Sequence, residues 1–306
     1  MRTAIFGGTG FVGSYLIDAL LERGHLPQVL VRPGSEHKLR QAARCHAVAG
    51  AVDDDAAVAA ALRGCEAAVF LIGILREKPA AGITFEALQY EAACRAIDAA
   101  RAEGVRRFLL MSANGARADG TRYQRTKFAA ERYLRESGLD GTVFRPSVIF
   151  GDPRGRMEFA TQMRDQVIRP PLPAPAFFSG WSPRKGSFSM TPVPVRDVAQ
   201  AMANALERPQ AVGRTIGLGG SAELRWPEIV RTLAAACGRR KRIVPVPAGP
   251  VGVAAALLGR FAFFPLTREQ LTMLLEGNSV SPERVRELLG VNPGPFDVSA
   301  LAYLRN

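Results

Sequence analysis

The chain has 306 residues, 40 lysines and arginines against 28 acids, a net charge of +12 and a hydrophobic fraction of 47%. That length holds one large or two modest domains with a sizeable core, and the composition excludes disordered and fibrous classes. The positive charge is spread along the chain apart from Arg239-Arg240-Lys241-Arg242, and no basic stripe is interleaved with aromatics. Nucleic acid is therefore not the expected partner, whereas an anionic cofactor or an anionic membrane face fits the charge. Cys45, Cys65, Cys94 and Cys237 form no Cys-x-x-Cys pair, which suits reduced thiols in the cytoplasm. His25, His37 and His46 do not recur at ligand spacing, so no metal is expected. The apolar start runs into glycines and has no cleavage pattern, so it reads as a strand and not as a signal peptide.

That first strand passes through Gly7-Gly8-Thr9-Gly10-Phe11-Val12-Gly13 into an amphipathic helix that Gly24 can end. Gly7 allows a tight turn, Gly10 a close approach of backbone to a pyrophosphate, and Gly13 close packing of the new helix. The first helical N–H groups have no partner inside the helix and suit a phosphate. A strand over 28–31 ends at Arg32, where a dinucleotide fold usually carries an acid for the ribose 2′-hydroxyl. An arginine there, with Ser35, Lys38 and Arg40 nearby, pairs with a 2′-phosphate and predicts NADP(H) in preference to NAD(H).

Further along, 45–49 reads as a third strand, and Asp53, Asp54 and Asp55 offer caps for a helix over 56–63. An apolar run over 67–72 predicts a strand buried on both faces, ending at Gly73. A helix over 85–103, a strand over 107–111, a helix over 121–136 and a strand over 142–145 complete six strand–helix alternations. The pattern predicts a Rossmann-type α/β fold, a doubly wound parallel sheet over 1–152, followed by a smaller C-terminal α/β substrate or lid domain over 153–306. Segments around 187–200 are expected to pack back on the first domain.

In that second half, 170–194 carries seven prolines with Phe177, Phe178, Trp181 and Phe188. Such a segment reads either as a lid over a pocket or as packing on the second domain. Helices are expected from Asp197, over 227–237, 267–276 and 282–289, and strands over 215–218 and 243–246. The apolar stretch 250–264 contains Arg260 and is too short to span a bilayer. It reads as a buried helix or as a peripheral contact with a membrane or protein complex.

Chemistry is expected where the strand over 107–111 ends at Ser112 and the next helix carries Tyr123 and Lys127. A spacing of four puts the last two on one helix face. A lysine ammonium beside the tyrosine favours its phenolate, and the phenol then exchanges a proton with a substrate hydroxyl or carbonyl while Ser112 holds the same oxygen. The cofactor set read from these positions is Gly7, Thr9, Gly10, Phe11, Val12, Gly13, Arg32, Val52, Leu71, Ile72, Gly73 and Lys127.

Together, the Gly7-x-x-Gly10-x-x-Gly13 turn, Ser112, Tyr123-x-x-x-Lys127, Arg145-Pro146-Ser147-Val148-Ile149-Phe150-Gly151 and Val195-x-Asp197-Val198 resemble the extended or atypical short-chain dehydrogenase/reductase superfamily. The resemblance implies an oxidoreductase or epimerase in which Pro146 and Val148 line the nicotinamide end. Leu71-Ile72-Gly73-Ile74-Leu75, Thr267-Arg268-Glu269-Gln270-Leu271 and Leu289-Gly290-Val291-Asn292-Pro293 look like bacterial proteins similar to the nucleotide-binding accessory subunit of respiratory complex I. That subgroup implies NADPH held in a structural or assembly role near a membrane. Extended members usually carry an aspartate for the adenine where Ala51 stands here, so adenine contact is expected to be apolar or made by Asp53.

Overall fold

A computed structural model describes residues 1–178, 188–251 and 267–305. In chain order the first elements are β1 (Arg2–Phe6), α1 (Phe11–Glu22), β2 (Leu26–Val31), β3 (His46–Ala49), α2 (Asp55–Leu62), β4 (Ala67–Phe70), α3 (Ala92–Ala102), β5 (Arg107–Met111), α4 (Arg122–Glu136) and β6 (Asp140–Pro146). They continue with β7 (Ile149–Phe150), α5 (Phe159–Met163), β8 (Ala174–Phe178), β9 (Ser189–Met190), β10 (Val193–Pro194), α6 (Val195–Glu207), β11 (Thr215–Leu218), β12 (Leu224–Arg225), α7 (Trp226–Ala236), β13 (Ile243–Pro247), α8 (Arg268–Glu276) and α9 (Glu283–Leu289).

The chain forms two units. The first comprises Met1–Pro146, Val195–Leu218 and Glu283–Asn292. Its seven strands lie in the order β11-β6-β5-β4-β1-β2-β3, and every pairing is parallel. Both faces of β4 are buried, as its unbroken apolar run requires. One side of the core gathers Phe6, Phe70, Phe108, Ile97 and Leu62. Asp54 caps α2 by accepting from the N–H groups of Ala56 at 3.0 Å and Ala57 at 3.1 Å, one of the three acids offered as caps.

The boundary expected at residue 152 is corrected by this arrangement. The first unit stops at Pro146 and takes back two later segments. α6 packs on α1, and β11 supplies the parallel partner of β6, Thr215 opposite Val143. Without β11, β6 would present an open row of backbone donors and acceptors.

The second unit comprises Ser147–Pro194, Gly219–Pro282 and Pro293–Asn306. β8 pairs in parallel with β13, and β9 pairs antiparallel with β12. Its core contains Phe150, Ile168, Phe188, Trp226 and Leu233. Phe188 packs against Trp226 with ring centroids 5.1 Å apart, and the indole N–H donates to the Pro175 carbonyl at 2.8 Å. Phe177 and Phe178 belong to β8, and Phe177 packs against this core. Phe177 and Phe188 therefore follow the packing alternative, while Trp181 and most of 250–264 lie outside the described residues. No helix among the described residues is long and apolar enough to cross a membrane.

Candidate coenzyme site

The glycine turn joins β1 to α1 in the first unit. Gly7 has φ +93°, which L side chains rarely adopt, and its carbonyl accepts from the Gly10 N–H at 3.0 Å. A Cβ at Gly13 would lie 2.3 Å from the Gly7 oxygen and 2.6 Å from the Gly8 Cα. Gly13 thus lets α1 close on the turn itself. A Cβ at Gly10 would meet only that oxygen, at 3.1 Å, so the space on this side is free of other protein atoms. Gly10 supplies no capping side chain, and the first turn of α1 holds no acid. Free N–H groups, the positive helix end and a glycine-lined opening fit a pyrophosphate.

At the end of β2, Arg32 is exposed and Ser35 is buried, its N–H donating to the Arg32 carbonyl at 2.9 Å. The Arg32 guanidinium meets no acid among the described residues. Leu71 and Ile72 continue from β4, the Leu71 N–H donating to the Phe6 carbonyl at 2.9 Å. Val52 is buried among the core side chains. Val148 belongs to the second unit, so it is not brought together with the others within the first.

α4 is held at its start by Thr121, whose hydroxyl accepts from the Gln124 N–H at 3.3 Å while the Gln124 side chain accepts from the Thr121 N–H at 2.8 Å. The half-buried Tyr123 ring meets Phe85 edge-on at 5.6 Å. Its hydroxyl has no hydrogen-bond partner among the described residues. Lys127, one turn on, is buried and donates to the Met111 carbonyl at 3.0 Å and the Ile72 carbonyl at 3.4 Å. A Cβ at Gly73 would stand 3.2 Å from the Lys127 Nζ. These contacts bring the strand ends of β4 and β5 to the inner face of α4.

Two expectations change here. Burial pushes the Tyr123 phenol up to about 12, opposite to the lowering expected from Lys127. Burial brings the Lys127 ammonium down to about 8, with the Glu131 carboxylate acting the other way. Ser112 is buried, and its hydroxyl donates to Glu131 Oε1 at 2.5 Å. A hydroxyl has one proton, so in this geometry Ser112 has none left for a substrate oxygen. Arg145 likewise gives its guanidinium to Glu131, at 2.8 and 2.6 Å.

Sequence reasoning missed Glu131, although it repeats the spacing of four after Lys127. It also missed the π-helical turn Glu86–Glu91 that precedes α3. There Gln89 is buried and its amide nitrogen donates to the Ile74 carbonyl at 2.8 Å. Among the described residues no cluster of histidines, cysteines and acids could hold a metal.

Residues 7–169, more than half of the chain, match the model of a protein family described as NAD(P)H-binding. The chain belongs to this NAD(P)H-binding family. A ceramide reductase from Caulobacter vibrioides is 27% identical over 261 residues, 83% of this chain and 76% of that protein. NADH dehydrogenase (ubiquinone) 1 alpha subcomplex subunit 9 from Mus musculus is 25% identical over 312 residues, 98% of this chain and 79% of that protein. The solved UDP-glucose 4-epimerase of Thermus thermophilus in complex with NAD superposes with a TM-score of 0.73 at 20% identity, covering 100% of this chain and 98% of that one. The architecture is a Rossmann-type α/β parallel sheet with a further C-terminal α/β region, and the cofactor class of the family is a nicotinamide dinucleotide.

Proposed function

We propose that this protein is an NADP(H)-dependent oxidoreductase or epimerase acting on a hydroxyl or carbonyl group, with Tyr123 as its proton-exchanging residue. The observation that carries the reading is on α4. Tyr123 presents an unengaged hydroxyl one turn from a buried ammonium, in the unit whose glycine turn fits a pyrophosphate. When bound, the coenzyme supplies or accepts hydride. Tyr123, whose phenol burial holds protonated, is placed to exchange that proton with a hydroxyl or carbonyl oxygen. Lys127 presents positive charge and its remaining N–H donor to the coenzyme's ribose side, and Gly73 leaves room for that approach. The name of the Caulobacter relative supports reductase chemistry on a lipid-like molecule. The direct test is loss of reduced-nicotinamide absorbance when candidate ketones are added; no turnover with any carbonyl class would count against the enzyme.

Arg32, with Ser35 and Lys38 beside it, is the proposed holder of the 2′-phosphate. Replacing the guanidinium by a carboxylate should lower NADPH affinity about 10- to 100-fold relative to NADH, the scale of one charge-assisted contact. Calorimetry of Arg32→Glu with both coenzymes measures this, and an unchanged ratio would remove the assignment.

A second reading is a non-catalytic NADPH-holding scaffold or assembly factor related to respiratory complex I or quinone metabolism. It is favoured by the complex I subunit relative, which aligns with 98% of the chain, and by the engagement of Ser112 with Glu131. Four free thiols support a cytoplasmic setting for either reading.

A further inference from the structure

We propose that Glu131 is the positioning residue of this site: its buried carboxylate ties the ends of β5 and β6 to α4 and holds Lys127 inward in its charged form. The inference rests on the reading of Lys127 as the cation of the coenzyme site. Glu131 is wholly buried, one helical turn after Lys127. Four hydrogen bonds reach its two oxygens. Oε1 accepts from Ser112 Oγ at 2.5 Å and Arg145 Nε at 2.8 Å. Oε2 accepts from Arg145 Nη2 at 2.6 Å and Arg135 Nη2 at 2.7 Å.

A buried carboxylate persists only when it is paired and hydrogen-bonded, and here the pairing has a direction. Ser112 directly follows Met111, whose carbonyl accepts from Lys127 at 3.0 Å. Glu131 therefore grips the strand end through a side chain, and Lys127 reads the same strand end through the backbone. Loss of the carboxylate frees the Ser112 side chain next to the carbonyl that aims Lys127, leaving that strand end held only through its backbone, where the Ser112 N–H donates to the Phe144 carbonyl at 2.8 Å. It also removes the negative charge that opposes the burial of the ammonium.

The groups around Lys127 can be named. On α4 they are Tyr123 and Glu131, the latter paired with Arg135 on α4 and Arg145 on β6. β5 and the segment after β4 offer the carbonyls of Met111 and Ile72. The π-helical turn packed on α4 keeps Glu86 and Glu91 exposed. On α3, Asp98 accepts from Tyr133 and Arg95 pairs with Asp55. Glu131 is thus the wholly buried acid among these, and it shares its charge with Arg145 and Arg135.

The test uses the full chain labelled with 13Cε-lysine, which has five lysines to resolve, Lys127 being assigned with Lys127→Arg. In Glu131→Gln, which keeps the shape and loses the charge, the Lys127 titration midpoint should fall by about one pH unit. The pH at which NADPH affinity is lost should fall with it, and Glu131→Asp should recover at least part of both shifts. An unmoved Lys127 midpoint in folded Glu131→Gln overturns the proposal. Should that variant not fold, the native chain labelled with 13C at its glutamate carboxyls carries the test. The Glu131 carbon must then show an inflection at the Lys127 midpoint, far above the ordinary carboxylate range, and a flat trace overturns the proposal equally. The Lys127 titration needs no coenzyme. A midpoint that moves while NADPH affinity does not follow therefore overturns the coenzyme reading of Lys127 and leaves the hold of Glu131 on it standing.

Discussion

Gly13→Ala should lower both the melting temperature and the coenzyme affinity, whereas Gly10→Ala should lower affinity alone. The added Cβ at position 13 would stand 2.3 Å from the Gly7 oxygen, 2.6 Å from the Gly8 Cα and 2.9 Å from the Gly8 carbonyl carbon. All three are backbone atoms, so no rotamer relieves the clash, and Gly7 is already confined to positive φ. Overpacking of this kind costs about 1–3 kcal/mol. The relief has to come from α1 moving off the turn, which displaces the N–H groups that face a pyrophosphate. Loss of one such charge-assisted contact weakens binding about 10- to 100-fold. At Gly10 the backbone is extended, with φ −78° and ψ −179°, and the nearest atom to a new Cβ is 3.1 Å away. The fold should lose less than about 1 kcal/mol there, while the methyl group occupies the space the phosphates need. Thermal unfolding of the ligand-free protein, run beside calorimetry with NADPH, separates the two effects. If Gly10→Ala binds NADPH like the native chain, the pyrophosphate does not lie over this turn.

Tyr123→Phe should leave the fold and NADPH affinity intact and reduce turnover by about 10²- to 10⁴-fold, the usual scale of a lost general acid. The Phe85 contact is made by the ring and survives the change. The hydroxyl removed has no partner among the described residues, so no buried group is orphaned. The pH dependence carries a sign. Tyr123 stays protonated up to about pH 12, and Lys127 gives up its proton at about pH 8. If the ammonium is the working form of Lys127, native activity is full below pH 8 and falls as pH rises through it. If steady-state rates in Tyr123→Phe equal those of the native chain, the enzyme reading fails and the scaffold reading gains.

Much of the sheet was legible from local pattern. The apolar run before Gly73 became β4, buried on both faces, and the arginine at the end of β2 lies exposed where the glycine spacing placed it. Ser112 was legible as a position but not as a role. The pattern shows that a serine follows β5, yet only the structure shows that its side chain turns to the inner face of α4, where Glu131 accepts its hydrogen bond. The helix expected over 85–103 hides a change of pitch for a similar reason. Its apolar spacing continues through Glu86–Glu91, while the wider π-turn there buries Gln89 against Ile74. β11 and α6 were recognised as elements, but nothing local names their partners β6 and α1, which lie far away in the chain. Such long-range pairing leaves no periodic trace in either segment.

The return of the chain to its first unit also bears on how the protein is made. Ribosomes deliver β6 well before β11, and at about 5–20 residues per second the interval is a matter of seconds. Throughout that time the nascent sheet ends on a strand whose outer hydrogen-bonding groups have nothing to bind, the state in which chains stick to one another. Chaperone demand should therefore concentrate in the window before Thr215–Leu218 emerges, and pause sites or slow codons placed inside it would favour aggregation.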